Sequence, residues 1–288
     1  VSNLEISRAQ RLDQRVVEII PQLSRAFAVK LIEDGKVTVR GQAIQKAGYK
    51  LRDSEAETVK VDYDLKEISD IPLIELPIIY EDDDCVVINK PLGLLSHSKG
   101  IFNPEATVET WLRSRTKLTG ARAGIVHRLD RATSGVMICA KTPEALSWLQ
   151  KQFAQRKTKK TYAAIINGQL DPPEAIIDMP IGRNPKAPAT FRTDVQGKHA
   201  ITHYRTVKTT DRYSLLELKP ETGRTHQLRV HLAHFGHPIV GDTMYGGQPA
   251  DRMYLHAEQL ELTLLSNHER KVFDAPLPAS FREFMNNG

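Results

Sequence analysis

Two cysteines in 288 residues, Cys85 and Cys139, are too few for a disulfide framework. Each sits in an apolar run, CVVINK or GVMICAK. Both therefore read as small core residues, and the expected compartment is the reducing cytosol. Long apolar runs are missing too: none approaches the roughly 18 consecutive apolar residues of a membrane span. The opening stretch, VSNLEISRAQRLDQ, is polar and lacks the basic-then-apolar pattern of a secretory leader. Aromatics are few, at 6%, and no repeat of fixed period appears. No carboxylate cluster of the kind that holds Mg²⁺ is visible. A large excess of one charge is lacking as well, with 40 Lys and Arg against 35 Asp and Glu. What these absences leave is a cytoplasmic globular protein of one large domain or two smaller ones, expected to be a monomer without cofactor, metal or membrane attachment.

The net charge of +5 is unevenly spread. Residues 101–170 hold 12 Lys or Arg against 4 Asp or Glu, while the preceding stretch carries the acidic cluster EDDD at 81–84. A basic middle in a near-neutral chain points to a local anionic partner, nucleic acid first. A solvated charged face is the plainer alternative.

The first 63 residues read as a separate small unit. RLDQRVVEII places Leu12, Val16, Ile19 and Ile20 on one helical stripe. Ser24 is a suitable N-cap for a second helix that Gly35 ends, with Phe27 and Leu31, and Ala28 and Ile32, at i,i+4. KVTVRG then alternates, Val37 and Val39 facing one way and Lys36, Thr38 and Arg40 the other. Residues 64–78 are punctuated by proline and read as a linker. From residue 79 to the end, short β-branched or alternating runs dominate: CVVINK, GVMICAK, TYAAIING, ITHYRTV and YSLLELKP. Helical stretches lie between them, such as PEALSWLQKQFAQ, where Leu146, Leu149 and Phe153 share a face. The expected fold class is α+β: a mixed, mostly antiparallel sheet with flanking helices, preceded by a small N-terminal α/β unit.

Three stretches bear chemistry. In HRLDRATSG, residues 127–135, one carboxylate, Asp130, stands among His127, Arg128 and Arg131 in a loop feeding a buried strand. Neighbouring cations favour the charged form of a carboxylate and suit it to nucleophilic or electrostatic roles. A structural ion pair is the other reading. Thr133, Ser134 and Gly135 shape the turn. In PETGRTHQLRVHLAHFGHPIVGD, Thr225 can cap a helix carrying Leu228, Leu232 and Phe235, with Gly236 as its stop and Arg224 and Arg229 flanking its start. In KTKKTYAAIING, the cations Lys157, Lys159 and Lys160 run into Tyr162, a combination suited to phosphate contact and base stacking. His231, His234 and His237 are spaced three apart, but no Cys or acidic ligand lies near them, so metal binding is not expected.

Two resemblances join these parts. Residues 11–62 resemble the alpha-L RNA-binding motif shared by a small-subunit ribosomal protein and tyrosyl-tRNA synthetase, through RLDQ (11–14), LSR (23–25), LIEDGKVTV (31–39) and Gly41. The usual Asn before that glycine is Arg40 here, and DSEAET replaces a common Gly-Asp pair. This resemblance makes Arg25, Lys36 and Arg40 candidate RNA contacts. From Tyr80 to Phe284 the chain resembles the pseudouridine synthases of the RluA type, which modify large-subunit ribosomal RNA and some tRNAs. The matching stretches are NKPLGLLSH, GIVHRLDRATSGVMICAKT, KTYAAIING, TGRTHQLRVHL, GHPIVGDTMYG, YLHAEQLEL and FDAPLP. Arg131 stands where Lys is common in that family, and Ala132 where an acid is common.

The second resemblance implies an isomerase that breaks the uridine N-glycosidic bond, turns the uracil and rejoins it through carbon, without cofactor. It implies Asp130 as nucleophile, Arg229 as its partner and Tyr162 as the residue stacked on uracil. It also implies Arg128 as the filler of the space a flipped base leaves. His127, Arg131, Lys157, Lys159, Lys160 and Arg224 are further candidates for RNA contact, and Leu228 and Leu255 for the pocket lining or core. The expected partner is large-subunit ribosomal RNA or its assembly intermediates, with tRNA as the alternative. Rival readings are a non-catalytic RNA-binding assembly factor, a hydrolytic nucleoside-bond enzyme and, more distantly, a metal-dependent nuclease.

Overall fold

The structure, a computed structural model, describes residues 10–21, 23, 25–62, 72–97, 105–116, 118 and 124–287. Ser24 and most of the expected linker, residues 64–71, lie outside them. The described residues fall into two compact units. One holds residues 10–62, with 72–74, 97 and 105–111; the other holds 75–96, 112–116, 118 and 124–287. No helix among them is long and apolar enough to cross a membrane.

In the first unit, α1 (Leu12–Ile19) and α2 (Arg25–Glu33) pack with a three-stranded antiparallel sheet of β1 (Val37–Val39), β2 (Gln42–Ala43) and β3 (Lys60–Val61). Leu12, Val16, Phe27, Ala28, Leu31, Ile32, Val37 and Val39 form its core, so the i,i+4 pairs of α2 and the alternation of β1 face inward as the spacing requires. Ile19 departs from the expected stripe. It is 40% exposed at the end of α1, and Val17 and Ile20 pack partly against the core instead. The β1–β2 turn has both central residues in the left-handed region, Arg40 at φ 51° and Gly41 at φ 78°. A two-residue hairpin turn of this hand needs that, and Asn-Gly is its usual filling. Arg40 holds the Asn position at a backbone cost of roughly 1–2 kcal/mol.

The second unit is built on a nine-stranded sheet, in which β14 (Arg270–Asp274) pairs β13 (Leu255–Thr263) and β13 lies between β6 (Ser134–Ala140) and β7 (Lys159–Asn167). The other strands are β4 (Ile78–Glu81), β5 (Cys85–Lys90), β8 (Glu174–Asp178), β11 (Ile201–Thr209) and β12 (Tyr213–Pro220). Only the β6–β13 pairing is parallel, so the sheet is mixed and mostly antiparallel as expected. A short hairpin of β9 (Ile181–Arg183) and β10 (Phe191–Thr193) stands apart. α4 (Pro143–Ala154) and α5 (Gln227–His234) lie between these strands and α6 (Ala279–Asn287) follows the last of them, while α3 (Val108–Leu112) belongs, all but its last residue, to the first unit.

Helices cover both faces of the sheet, which explains the unbroken apolar run AAII in β7. Ala164 and Ile166 pack toward Leu228 and Leu232 of α5; Ala163 and Ile165 pack toward Phe281 and Met285 of α6. Tyr162, two residues before Ala164, falls on the α5 side. Strand β6 is buried at every position, and Cys85 and Cys139 are buried free thiols on neighbouring strands. Gly135 is obligatory there: a Cβ would lie 2.1 Å from the Ala257 carbonyl oxygen of β13, and φ is 119°. The turn residue of HRLDRATSG is thus also what lets β6 and β13 pair.

Candidate active site

Asp130 lies in the loop before β6, and hydrogen bonds from the 89–97 segment hold that loop. The Ser96 hydroxyl donates to the Leu129 carbonyl at 2.7 Å and accepts from the Leu129 N–H at 3.0 Å. The Gly93 N–H donates to the Arg131 carbonyl at 2.9 Å, and the Thr133 N–H to the Asp130 carbonyl at 3.0 Å. Lys90 is fully buried and donates to the carbonyls of Leu94 (2.8 Å) and Pro91 (3.0 Å). Burial pushes its pKa down to about 8, against the pull of Asp130. The backbone on each side of Asp130 is therefore fixed before any substrate arrives.

The expected cation cage from the adjacent residues is not what meets the carboxylate. Arg131 is exposed and donates to the Gly93 carbonyl at 3.4 Å. The ion pair comes from α5: Arg229 Nη1 lies 3.3 Å from Asp130 Oδ2, with side-chain exposures of 8% and 20%. Arg229 is aimed by a second carboxylate. Its Nε and Nη2 fork onto Asp242 at 2.7 and 2.8 Å, and its guanidinium lies over the Tyr245 ring, 4.9 Å from the centroid. Burial alone would lower the Arg229 pKa; Asp242 and Asp130 outweigh it and hold the guanidinium charged. A fork onto one acid that leaves an N–H for another positions a carboxylate with little freedom.

The expected cap of α5 also differs. The residue preceding the helix is His226, in a left-handed conformation at φ 57°, and Gln227, not Thr225, organises the start. Its side-chain oxygen accepts from the Arg224 N–H at 3.0 Å and the Thr222 hydroxyl at 2.7 Å. Leu228 and Leu232 are buried as expected, whereas Phe235 is 49% exposed beyond the last turn.

A cleft of about 510 Å³ opens over Asp130. It brings together Asp130, Tyr162 and Arg229, with Arg128, His127, Lys160, Arg224, Leu228 and Leu255 of the sequence candidates also in its wall. Burial and the Asp130 charge push the Tyr162 hydroxyl well above the usual phenol range, so it stays protonated. His127 departs from a phosphate-binding role. Its Nε2 accepts the Ile138 N–H at 3.1 Å, its ring stacks on Phe153, and burial drops its pKa to about 3, leaving it neutral. Lys160 donates to the Thr222 carbonyl at 3.4 Å, and burial, with Arg156 beside it, lowers its pKa to about 8. Arg156, which the sequence reading passed over, lines the same wall.

Other candidates lie outside the cleft lining. Lys159 pairs with Glu261 at 3.5 Å, and Lys157 is exposed. In the first unit Arg25 donates to Asp13 at 2.9 Å, Arg40 to Ser54 at 2.7 Å, and Lys36 is exposed. The three spaced histidines are engaged separately: His231 with Thr202 and Met179, His234 with Thr193 and His237 with Asn167. Among the described residues no group of three or more His, Cys, Asp or Glu could hold a metal. Ser96, His226, Asp242 and Tyr245 are the site residues that sequence reasoning missed. All four lie inside or beside quoted motifs, but nothing in their spacing says which of them faces Asp130.

The arrangement, a fixed carboxylate under a shared arginine at the floor of a cation-lined cleft, has counterparts. The family model described as RNA pseudouridylate synthase matches residues 84–234, and that of the S4 domain matches residues 10–56. Ribosomal large subunit pseudouridine synthase D of Vibrio cholerae is 35% identical over 286 residues, spanning 93% of this chain and 88% of its own. Its namesake in Yersinia pestis is 36% identical over 302 residues, spanning 98% and 92%. Among solved structures, Human RNA Pseudouridylate Synthase Domain Containing 1 is similar at a TM-score of 0.59 and 31% identity, over 70% of this chain and 83% of that one.

Proposed function

This chain belongs to the RNA pseudouridylate synthase family and carries an S4 domain, and from that premise we propose that it converts uridines of large-subunit ribosomal RNA to pseudouridine with Asp130 as nucleophile. The chain is an isomerase, an RNA pseudouridine synthase. The substrate class rests on the names of the relatives, most of whose length this chain spans.

The observation that carries the residue roles is the pairing of Asp130 with Arg229 under the cleft. In the reaction the C1′–N1 bond breaks, the uracil turns, C1′–C5 forms, and the C5 proton is exchanged for one on N1. Substrate and product are isomers, so no oxidant, metal or energy source is required. Asp130 begins either route open to this chemistry, addition to C1′ or glycal formation. Arg229 keeps the carboxylate aimed. Tyr162 stacks on the base, and its protonated hydroxyl serves the departing C5 proton only as a relay, passing its own hydrogen on as it takes the other. A cleft of about 510 Å³ suits a single nucleoside, so the base must leave its stack to enter. Arg128, in the cleft wall, fills the gap. The S4 domain, within residues 1–63, and the catalytic domain, 79–288, act as separately folding units joined by 64–78. Deletion of 1–63 weakens RNA binding and leaves a folded remainder.

The test is tritium release from RNA labelled at uridine C5, with deproteinised large-subunit RNA, tRNA and assembly intermediates in parallel. Release by wild type and not by Asp130→Asn, without free uracil, is expected on large-subunit RNA. Release on tRNA alone would move the substrate, free uracil would make the enzyme a hydrolase, and equal release by both proteins would remove Asp130 from the chemistry.

A further inference from the structure

Two side-chain nitrogens approach the same oxygen of Asp130. Arg229 Nη1 lies 3.3 Å from Oδ2, and His226 Nε2 lies 3.8 Å from it. Arg229 reaches Asp130 through Nη1 alone, because its Nε and Nη2 are engaged by Asp242. A single contact of that length is long for a charge-assisted hydrogen bond, and a second donor on the same oxygen would hold the carboxylate more firmly.

His226 is held as such a donor. The Tyr245 oxygen lies 2.8 Å from His226 Nδ1 and accepts the Phe191 backbone N–H at 2.9 Å. The Tyr245 oxygen already accepts one N–H, so its single hydroxyl hydrogen is assigned to Nδ1, which then accepts. Burial lowers the His226 pKa although Asp130 draws it upward, so the ring is neutral at pH 7. A neutral imidazole whose Nδ1 accepts carries its hydrogen on Nε2, the nitrogen turned to Asp130. The groups facing the ring are Asp130 and Arg128 from the loop before β6, Arg229 on α5, and Asp242 and Tyr245 from the following turn. The Phe191 and Tyr245 rings meet it edge-on.

We propose that His226 is a positioning residue for the isomerisation: a neutral Nε2–H donor, set in that tautomer by Tyr245, that engages Asp130 Oδ2 together with Arg229 and reserves Oδ1 for the substrate. The inference rests on Asp130 being the nucleophile. The distance of 3.8 Å exceeds a hydrogen bond, and catalytic hydrogen bonds commonly tighten only once substrate is bound. A second proton on the ring, at Nδ1, displaces the Tyr245 hydrogen and sets a positive charge against Oδ2. Nucleophilicity falls, so activity is lost on the acid side, below the ordinary histidine value of about 6.5.

The experiment measures kcat and KM for C5 tritium release between pH 5 and 8 in wild type, His226→Gln, His226→Leu, Tyr245→Phe and Asp130→Asn, with thermal melting of each. His226→Leu is expected to lower kcat on the order of 10²-fold with little change in KM. His226→Gln keeps an N–H and cannot titrate, so it should stay within about tenfold of wild type and shift the acid limb to lower pH. Tyr245→Phe should fall between them. Wild-type kcat in a folded His226→Leu, or an unmoved acid limb in His226→Gln, overturns the proposal. The second readout decides the matter even where the leucine variant unfolds. An active Asp130→Asn would instead overturn the nucleophile assignment.

Discussion

Arg-Leu-Asp occurs twice in this chain, at 11–13 and at 128–130, and the two copies come to opposite ends. In the first, Asp13 is 2% exposed and both its oxygens are taken: Arg11, two residues before it, donates at 3.0 and 3.1 Å, and Arg25 at 2.9 Å. In the second, Arg128 makes no ion pair with Asp130; the pairing arginine comes from 99 residues along the chain and reaches one oxygen. The first carboxylate joins α1 to α2 and has nothing left to offer. The second keeps an oxygen free at the floor of a cleft, beneath an arginine that Asp242 holds from behind. Identical local sequence thus yields a structural pair or a reactive group, according to whether the partners saturate the acid.

Asparagine at each position should separate the two most sharply. Asp130→Asn is expected to lower kcat by at least on the order of 10³-fold while leaving the melting temperature near wild type. Asp13→Asn should lower the melting temperature and leave kcat intact. Tritium release and thermal melting on both variants check this; a large kcat loss in Asp13→Asn would erase the distinction. Next in size is Asp242→Asn. It removes one arm of the fork behind Arg229 without touching Asp130, and misplacement of about 1 Å at a reacting group typically costs on the order of 10²-fold. The melting temperature should drop as well, because a buried guanidinium then faces an amide. If kcat were unchanged, the aim of Asp130 would not depend on the second carboxylate.

The outcome for these two aspartates marks what was legible in the sequence. The strands of the second unit announced themselves through β-branched runs, and the α2 face through its i,i+4 pairs, because burial there follows the local period. Asp130, Tyr162 and Arg229 were found through motif resemblance, and they do line one cleft. The cations assigned by adjacency fared differently. Arg131 donates to the Gly93 carbonyl and His127 is neutral and accepts the Ile138 N–H, since proximity in sequence does not fix where a side chain ends. Asp242, Tyr245 and Ser96 were invisible for the converse reason. Their part arises from a strand order, β6 beside β13 beside β7, that brings three distant loops together, and no local pattern encodes that order.

A smaller effect concerns pH. Burial alone would raise the Asp13 pKa; hydrogen bonds from Arg11 and Arg25 outweigh it and hold the carboxyl below the usual range. A folded-state value below the unfolded one contributes stability above about pH 3.9, lost as pH falls through the folded value. The melting difference between wild type and Asp13→Asn should therefore be widest at neutral pH, about 1–2 kcal/mol given that both arginines are half exposed, and should close in acid. A difference independent of pH would show that Asp13 acts by packing and not by charge.

The smallest effect sets cations with and without an acid partner against each other. Lys159 has Glu261 and Arg25 has Asp13, while the side chains of Lys160 and Arg156 in the cleft wall meet, among the described residues, only a backbone carbonyl. An unpaired cation is free to displace a counterion from RNA, whereas a paired one must first give up its acid. Each of Lys160→Ala and Arg156→Ala should lower the slope of log affinity against log salt by about 0.7 to 1, and weaken binding alike on every RNA sequence. Lys159→Ala should leave the slope nearly unchanged. Filter binding of large-subunit RNA between low and moderate salt measures all three. An equal change for Lys159→Ala would mean that the surface pair opens on contact with RNA, so that saturation by a partner governs the buried aspartates but not the exposed cations.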